Sequence, residues 1–256
     1  MYRAFNVALE SNKYLGYVNT RQYENDKSIS LQKLQKIINS REIIQAWEIK
    51  KLLLPSKRYD IFISHSHKDL ELAKGFANYL YLFFNVTCFI DSLYWGNIDE
   101  LQNELNELHL TYDGVTKKSY YDYEKTLQVA KHADMILASA LTEMIDNCEC
   151  VFFLNTDSSV IRGTEAISKN ETYSPWIYHE VFTTTIIQKK QRSKFNESYQ
   201  FRDNAIKQIP DISYGLDLSG MTVLREEDIF EWEIKINSNK DKHPLDVLYN
   251  LNPERK

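Results

Sequence analysis

Three short apolar runs constrain the fold of this chain more than any other feature. They are YDIFIS at 59–64, VTCFID at 86–91 and CVFFLN at 150–155, and each is rich in Ile, Phe or Val. Runs that are apolar at nearly every position are typical of strands buried on both faces of a parallel sheet. We therefore expect an α/β protein that has these three strands in its central sheet.

Amphipathic helical patterns lie between the apolar runs. Residues 69–84 (DLELAKGFANYLYLFF) and 123–147 (YEKTLQVAKHADMILASALTEMIDN) each carry one apolar stripe. Alternation of strands and helices predicts a parallel sheet with right-handed crossover connections. Towards the C-terminus, IPDISYGLDLS at 209–219 indicates a last strand and HPLDVLYNL at 243–251 a last short helix.

Residues 1–57 read as a separate, largely helical N-terminal extension. Apolar residues recur at helical spacing from Leu31 to Leu53, and Pro55 ends that pattern. The remaining domain then spans 58–256. Its core motifs lie within 58–190, a polar, Tyr-rich insertion occupies 98–122 and a Ser/Thr/Asn-rich insertion occupies 156–173, while 196–256 carries the weakest pattern.

Composition excludes several classes of function. The chain has 31 basic and 36 acidic residues and a net charge of −5, which argues against nucleic acid as a partner. Its seven glycines form neither a dinucleotide-binding loop nor a P-loop. An odd count of three cysteines without a secretion signal indicates reduced thiols in a cytoplasmic protein. No apolar stretch approaches membrane-spanning length, so we expect no contact with a membrane.

Ligands of open parallel sheets collect at the carboxyl ends of the strands. The first two apolar runs end in polar residues and continue into polar and aromatic ones, which are Ser64, His65 and Ser66 for the first run and Asp91, Ser92 and Trp95 for the second. For the first group, a strand-end turn with capping roles is an equally good interpretation. Trp95 could also be a simple core anchor.

The segment SPWIYHEV at 174–181 predicts a helix start followed by an unexplained acid. Ser174 is a favourable N-cap and Pro175 a favourable first helical residue. An acid in a capping box would stand at Ile177, so capping does not account for Glu180. Trp176 and Glu180 are one helical turn apart on one face. Glu180 is either a solvated surface acid or a catalytic acid with an aromatic neighbour.

Metal ligation is not expected from the spacing of histidines and cysteines. The side chains of His65 and His67 would lie on the same side only if their strand continued through both residues. Cys148 and Cys150 are too close in sequence for a zinc site, and the chain has no second pair of cysteines. Cys88 lies within an apolar run and is interpreted as a small core residue.

Three segments, in this order, resemble Toll/interleukin-1 receptor (TIR) domains. They are YDIFISHSHKD at 59–69, FIDSLYWG at 89–96 and SPWIYHEV at 174–181, and the resemblance covers roughly residues 58–190. It implies a flavodoxin-like fold. In NAD-cleaving members a Trp-x-x-x-Glu pair carries the catalytic glutamate, which here falls on Trp176 and Glu180. The stretch DSLYW is closest to bacterial TIR enzymes of Thoeris-type anti-phage defence.

This resemblance implies NAD⁺ as a substrate and no further cofactor. Ser64, His65 and Ser66 would line the ribose and phosphates, and Trp176 would stack on nicotinamide. Asp91, Ser92 and Trp95 would begin a loop that gates the site and supports self-association. A diffusible product would reach a separate effector. The alternatives are a non-catalytic TIR adaptor and a base-exchange or nucleoside-processing enzyme that uses the same carboxylate.

Overall fold

A five-stranded parallel sheet flanked by helices forms the centre of the protein, so the predicted flavodoxin-like α/β fold is confirmed. The computed structural model describes most of the chain, namely residues 2–9, 12–18, 36, 45–53, 55, 57–161, 170–187 and 214–253. The helical pattern expected over 31–44 lies outside these residues apart from position 36.

The central strands run in the order β3-β2-β6-β1-β9 across the sheet. Their bounds are β1 Arg3–Val7, β2 Ile61–Ser64, β3 Cys88–Ile90, β6 Cys150–Leu154 and β9 Thr222–Leu224. Two small antiparallel pairs accompany them, formed by β4 Leu110–Asp113 with β5 Lys118–Tyr121 and by β7 Glu171–Thr172 with β8 Tyr214–Gly215.

Seven α-helices occur in the described part of the chain. They are α1 Ala46–Leu53, α2 Leu70–Phe84, α3 Trp95–Glu107, α4 Tyr123–Asn147, α5 Pro175–Ile186, α6 Glu226–Asn237 and α7 Pro244–Leu251. Short 3-10 helices cover Asn12–Tyr17, His67–Asp69 and Asp91–Leu93. The helices expected at 69–84, 123–147 and 243–251 are thus confirmed, with bounds shifted by at most one residue.

The three apolar runs are the strands that the sequence predicts. Every residue of β2 and of β6 is buried, and the two strands pair in parallel with Ile63 opposite Phe152 and Ser64 opposite Phe153. Because both faces of these strands are covered, an apolar residue is required at almost every position.

The boundary drawn between residues 57 and 58 is wrong, because β1 lies inside the central sheet. It pairs in parallel with β6 on one side and with β9 on the other. It begins with Arg3 and is interrupted by Asn6, so its sequence lacks the continuous apolar pattern of the other central strands. The Arg3 side chain is 3% exposed, donates to Thr222 Oγ1 at 2.6 Å and lies 4.9 Å from the Phe5 ring centre.

The last strand of the central sheet also differs from the prediction. Within 209–219 only β8 is a strand, and it pairs with β7 outside the central sheet; residues 209–213 lie outside the described part. The place in the central sheet beside β1, at its edge, is taken by β9, which is only three residues long. A strand this short carries too little periodicity to be recognised from its sequence.

The chain divides into two compact units, and the first contains the central sheet with α2, α5, α6 and α7. Aromatic side chains fill its interior beside α2. Tyr14 packs edge-on against Phe76 with ring centres 5.0 Å apart, and Phe84 stacks on Trp232 at 4.0 Å. These contacts attach the N-terminal 3-10 helix and α6 to α2.

The second unit contains α1, α3, α4 and the β4–β5 hairpin. The polar insertion expected at 98–122 is the rest of α3 and this hairpin. Its turn is closed by Asp113, whose carboxylate accepts from the Val115 amide at 2.8 Å. Lys50 of α1 forms an ion pair with Glu143 of α4.

None of the helices that the structure describes is both long enough and apolar enough to span a membrane.

Candidate active site

Helix α5 begins where the sequence predicts. Ser174 has extended backbone and its side chain accepts from the Ile177 amide at 3.2 Å, and Pro175 is the first helical residue. The Thr172 hydroxyl in turn accepts from the Ser174 amide at 3.2 Å. These local bonds determine the helix start and therefore which side chains of α5 face the interior.

Glu180 lies on the buried face of α5. It belongs to the stripe formed with Ile177, Val181 and Thr184, and its exposed fraction is only 1%. The interpretation of Glu180 as a solvated surface acid is therefore wrong. A carboxylate buried to this extent is rare and requires hydrogen-bond donors in place of water.

Ser64 supplies such a donor from the carboxyl end of β2. Its Oγ donates to Glu180 Oε2 at 2.5 Å, and the serine itself is 1% exposed. The bond joins the end of a central strand to the second turn of α5, at the edge of the sheet where ligands bind in folds of this type.

The residues after Ser64 have different surroundings from one another. His65 is 4% exposed, and its Nδ1 lies 3.4 Å from the carbonyl oxygen of Ile63. Ser66 caps the following 3-10 helix by accepting from the Lys68 amide, which is the capping role left open as an alternative. His67 is exposed whereas His65 is buried, so the two imidazoles do not share one environment.

The segment after β6 is connected to the segment after β2 by side chains that the sequence patterns did not single out as a pair. The Thr156 hydroxyl donates to the Asp69 carboxylate. Asn155 Nδ2 donates to Asn6 Oδ1 at 3.0 Å, which connects the same segment to the end of β1. The only sign of Asn155 and Thr156 in the sequence was their position directly after β6. Their partners, Asn6 and Asp69, are distant along the chain.

Trp176 is half-buried and stands one helical turn before Glu180. Its ring centre is 6.4 Å from that of His179, at an interplanar angle of 82°. The indole is therefore neither a fully buried core anchor nor a fully solvated side chain.

Asp91, Ser92 and Trp95 belong to the second compact unit. Asp91 is buried and starts a 3-10 helix in which its carbonyl accepts from the Tyr94 amide at 2.8 Å, while Ser92 is partly exposed. Trp95 is the first residue of α3, and its side chain lies outside the described part of the structure. The first unit by itself brings Ser64, Trp176 and Glu180 onto neighbouring elements.

The cysteines are buried thiols. Burial raises the pKa of Cys88 and of Cys150 well above the ordinary value, as expected of core residues rather than nucleophiles. Over the ranges that the structure describes, His, Cys, Asp and Glu side chains form no group of three arranged to hold a metal ion.

No protein-family model, curated protein or solved structure matches this chain. Its chemistry must therefore be inferred from the site itself. A buried carboxylate held by a hydroxyl donor, with an aromatic ring on the same helix, is suited to stabilising positive charge that develops on a bound molecule.

Proposed function

We propose that this chain is a TIR-type NAD⁺ nucleosidase that cleaves the bond between nicotinamide and ribose, with Glu180 as its catalytic residue. The observation that carries the proposal is the position of Glu180, buried on α5 and hydrogen-bonded to Ser64 at the carboxyl end of β2. The three TIR-like segments and the flavodoxin-like sheet support it as well.

The reaction needs only one carboxylate. In NAD⁺ the nicotinamide ring is positively charged, so when the N-glycosidic bond breaks the electron pair moves to the ring nitrogen and neutral nicotinamide leaves. No acid has to protonate this leaving group, unlike in ordinary glycoside hydrolysis with its two carboxyl groups. The ribose becomes an oxocarbenium-like cation. The negative charge of Glu180 would stabilise that cation until water or another nucleophile adds and loses a proton.

Trp176 would bind the leaving group before it departs. An indole face attracts a cationic ring, and the attraction disappears once nicotinamide is neutral, so stacking does not hold back the product. Trp176 is half-buried, so it is not enclosed in the core as Glu180 is.

The burial of Glu180 has a consequence for turnover. With 1% of its surface exposed, this side chain can meet a substrate only after its neighbours move. We therefore expect slow turnover by the isolated protein and faster turnover after a trigger or self-association. The product would be ADP-ribose or a cyclic or conjugated form of it, acting as a signal to a separate effector in the cytoplasm of a bacterium under phage attack.

The test is nicotinamide release. Purified protein at low and high concentration, with and without lysate of phage-infected cells, is incubated with NAD⁺ beside the E180Q variant. Release by the wild-type protein above the E180Q background supports the proposal. Equal release by the two proteins under every condition would remove Glu180 from the reaction.

A second candidate is a non-catalytic TIR interaction module. The observation in its favour is the same burial, because a carboxylate covered on all sides and bonded to Ser64 can also serve structure alone. In that case neither wild-type nor E180Q protein releases nicotinamide, and E180Q loses stability instead. A base-exchange enzyme would be recognised by incorporation of a free pyridine base into NAD⁺.

A further inference from the structure

We propose that Ser64 is a positioning residue for Glu180 rather than a contact of the substrate. This inference rests on the proposed function and deepens it. The resemblance to TIR domains implies that Ser64 lines the ribose and phosphates, whereas the structure commits its hydroxyl proton to Glu180 Oε2, 2.5 Å away. A serine hydroxyl has only one proton to donate, so it cannot also donate to a bound molecule.

The strand that carries Ser64 is well suited to hold a side chain in one place. All four residues of β2 are buried, and β2 is an inner strand paired in parallel with β6, where Ser64 stands opposite Phe153. Glu180, in contrast, has three rotatable side-chain bonds on a helix. The hydrogen bond to Ser64 therefore restricts the movement of the carboxylate relative to the sheet.

The burial of both partners strengthens the hydrogen bond between Ser64 and Glu180. Each side chain is 1% exposed, so water does not compete for either group. Burial by itself opposes ionisation of a carboxylate, whereas a hydroxyl donor favours it, so the donor would help to keep the charge that is needed to stabilise an oxocarbenium ion. Loss of the donor would remove one of the restraints on the orientation of the carboxylate, and a displacement of about 1 Å in a catalytic group can lower the rate about 100-fold.

The test compares S64A with a matched serine. Ser159 is also 1% exposed, but its Oγ donates to the Leu154 carbonyl at 2.7 Å instead of to Glu180. S64A should lower kcat for NAD⁺ cleavage by about 10- to 100-fold, the effect of one lost charge-assisted hydrogen bond, with KM changed less than about twofold. S159A should keep the kcat of the wild-type protein. S64T, which restores a hydroxyl, should recover at least part of the lost rate.

Each other outcome has one meaning. A raised KM with unchanged kcat in S64A would assign Ser64 to the substrate and overturn the inference. Equal losses of kcat in S64A and S159A would show a general packing effect and overturn it too. If S64A kept wild-type activity while E180Q was inactive, the positioning role of Ser64 would be refuted and the role of Glu180 would stand. Absence of cleavage by the wild-type protein would overturn the proposed function and this inference together.

A readout that does not depend on activity comes from unfolding in urea. The free energies of unfolding of the wild-type protein, S64A, E180L and the double variant form a cycle that isolates the interaction between the two side chains. We expect the double variant to lose less stability than the sum of the single variants. If the losses of stability in the two single variants added up to the loss in the double variant, the hydrogen bond would contribute nothing to stability. The positioning role of Ser64 would then be refuted.

Discussion

A β-carbon on Gly75 would lie 2.1 Å from the carbonyl oxygen of Tyr14. The N-terminal 3-10 helix thus approaches α2 so closely that only a glycine fits at the contact. The Tyr14 ring beside it is buried against Phe76 and Tyr79, with ring centres 5.0 and 5.1 Å away. Residues far before the first predicted strand are therefore part of the core.

The first prediction concerns this contact. Because the neighbouring atoms belong to backbone and cannot turn aside, G75A should lower the free energy of unfolding by about 1–3 kcal/mol. Urea denaturation followed by circular dichroism measures the change. Gly16 is the matched control, since a β-carbon there would meet nothing within 4 Å. If G75A and G16A were equally stable, the close approach of the two segments would be refuted.

The second prediction concerns the N-terminal strand. A chain that begins at Arg58 lacks β1, which pairs with both β6 and β9. Its removal leaves buried backbone groups unpaired and removes Phe5 and Val7 from the core. We expect this truncated chain to be insoluble or to lack a cooperative thermal transition, whereas removal of Met1 alone should be harmless. Cooperative unfolding of the chain 58–256 would restore the boundary drawn from the sequence.

The third prediction concerns Glu180. E180Q should reduce nicotinamide release at least about 100-fold, because the neutral amide cannot stabilise a developing cation. The fold should persist, since the amide oxygen can still accept from Ser64. The matched control is E124Q, which makes the same change at an exposed position on α4 and should keep full activity. Equal activity of E180Q and E124Q would argue against a catalytic carboxylate.

The fourth prediction concerns alkaline pH. Burial raises the pKa of Cys88 and Cys150 in the folded protein above the ordinary value of 9.0, so the folded state keeps protons that the unfolded state loses. Their contribution to stability is complete below pH 9.0 and is lost as pH rises further, by about 1.4 kcal/mol per thiol and pH unit.

Urea titrations between pH 8 and pH 10 measure this loss. The C88A/C150A double variant should show a shallower decline over the same range. Some decline should remain, because burial also raises the pKa of Tyr14 and Tyr79. An identical decline in the double variant and the wild-type protein would show that the two thiols do not contribute.

The sequence by itself determined the elements whose signals are local. The apolar runs that became β2, β3 and β6 could be recognised because strands covered on both faces need apolar residues at nearly every position. The start of α5 could be recognised because Ser174 and Pro175 act within a few residues of themselves. The strands β1 and β9 could not be recognised, because β1 begins with a buried arginine and is interrupted by Asn6, and β9 has only three residues.

Tertiary structure alone decided the environment of Glu180. Sequence determined its residue type, its place in the second turn of α5 and its spacing from Trp176. Whether that face met water or the sheet depended on how α5 packs, and the partner that holds the carboxylate, Ser64, lies 116 residues earlier in the chain. A contact between such distant positions leaves no periodic trace in either local segment, since it arises only when strand and helix are brought together by the burial of apolar side chains elsewhere.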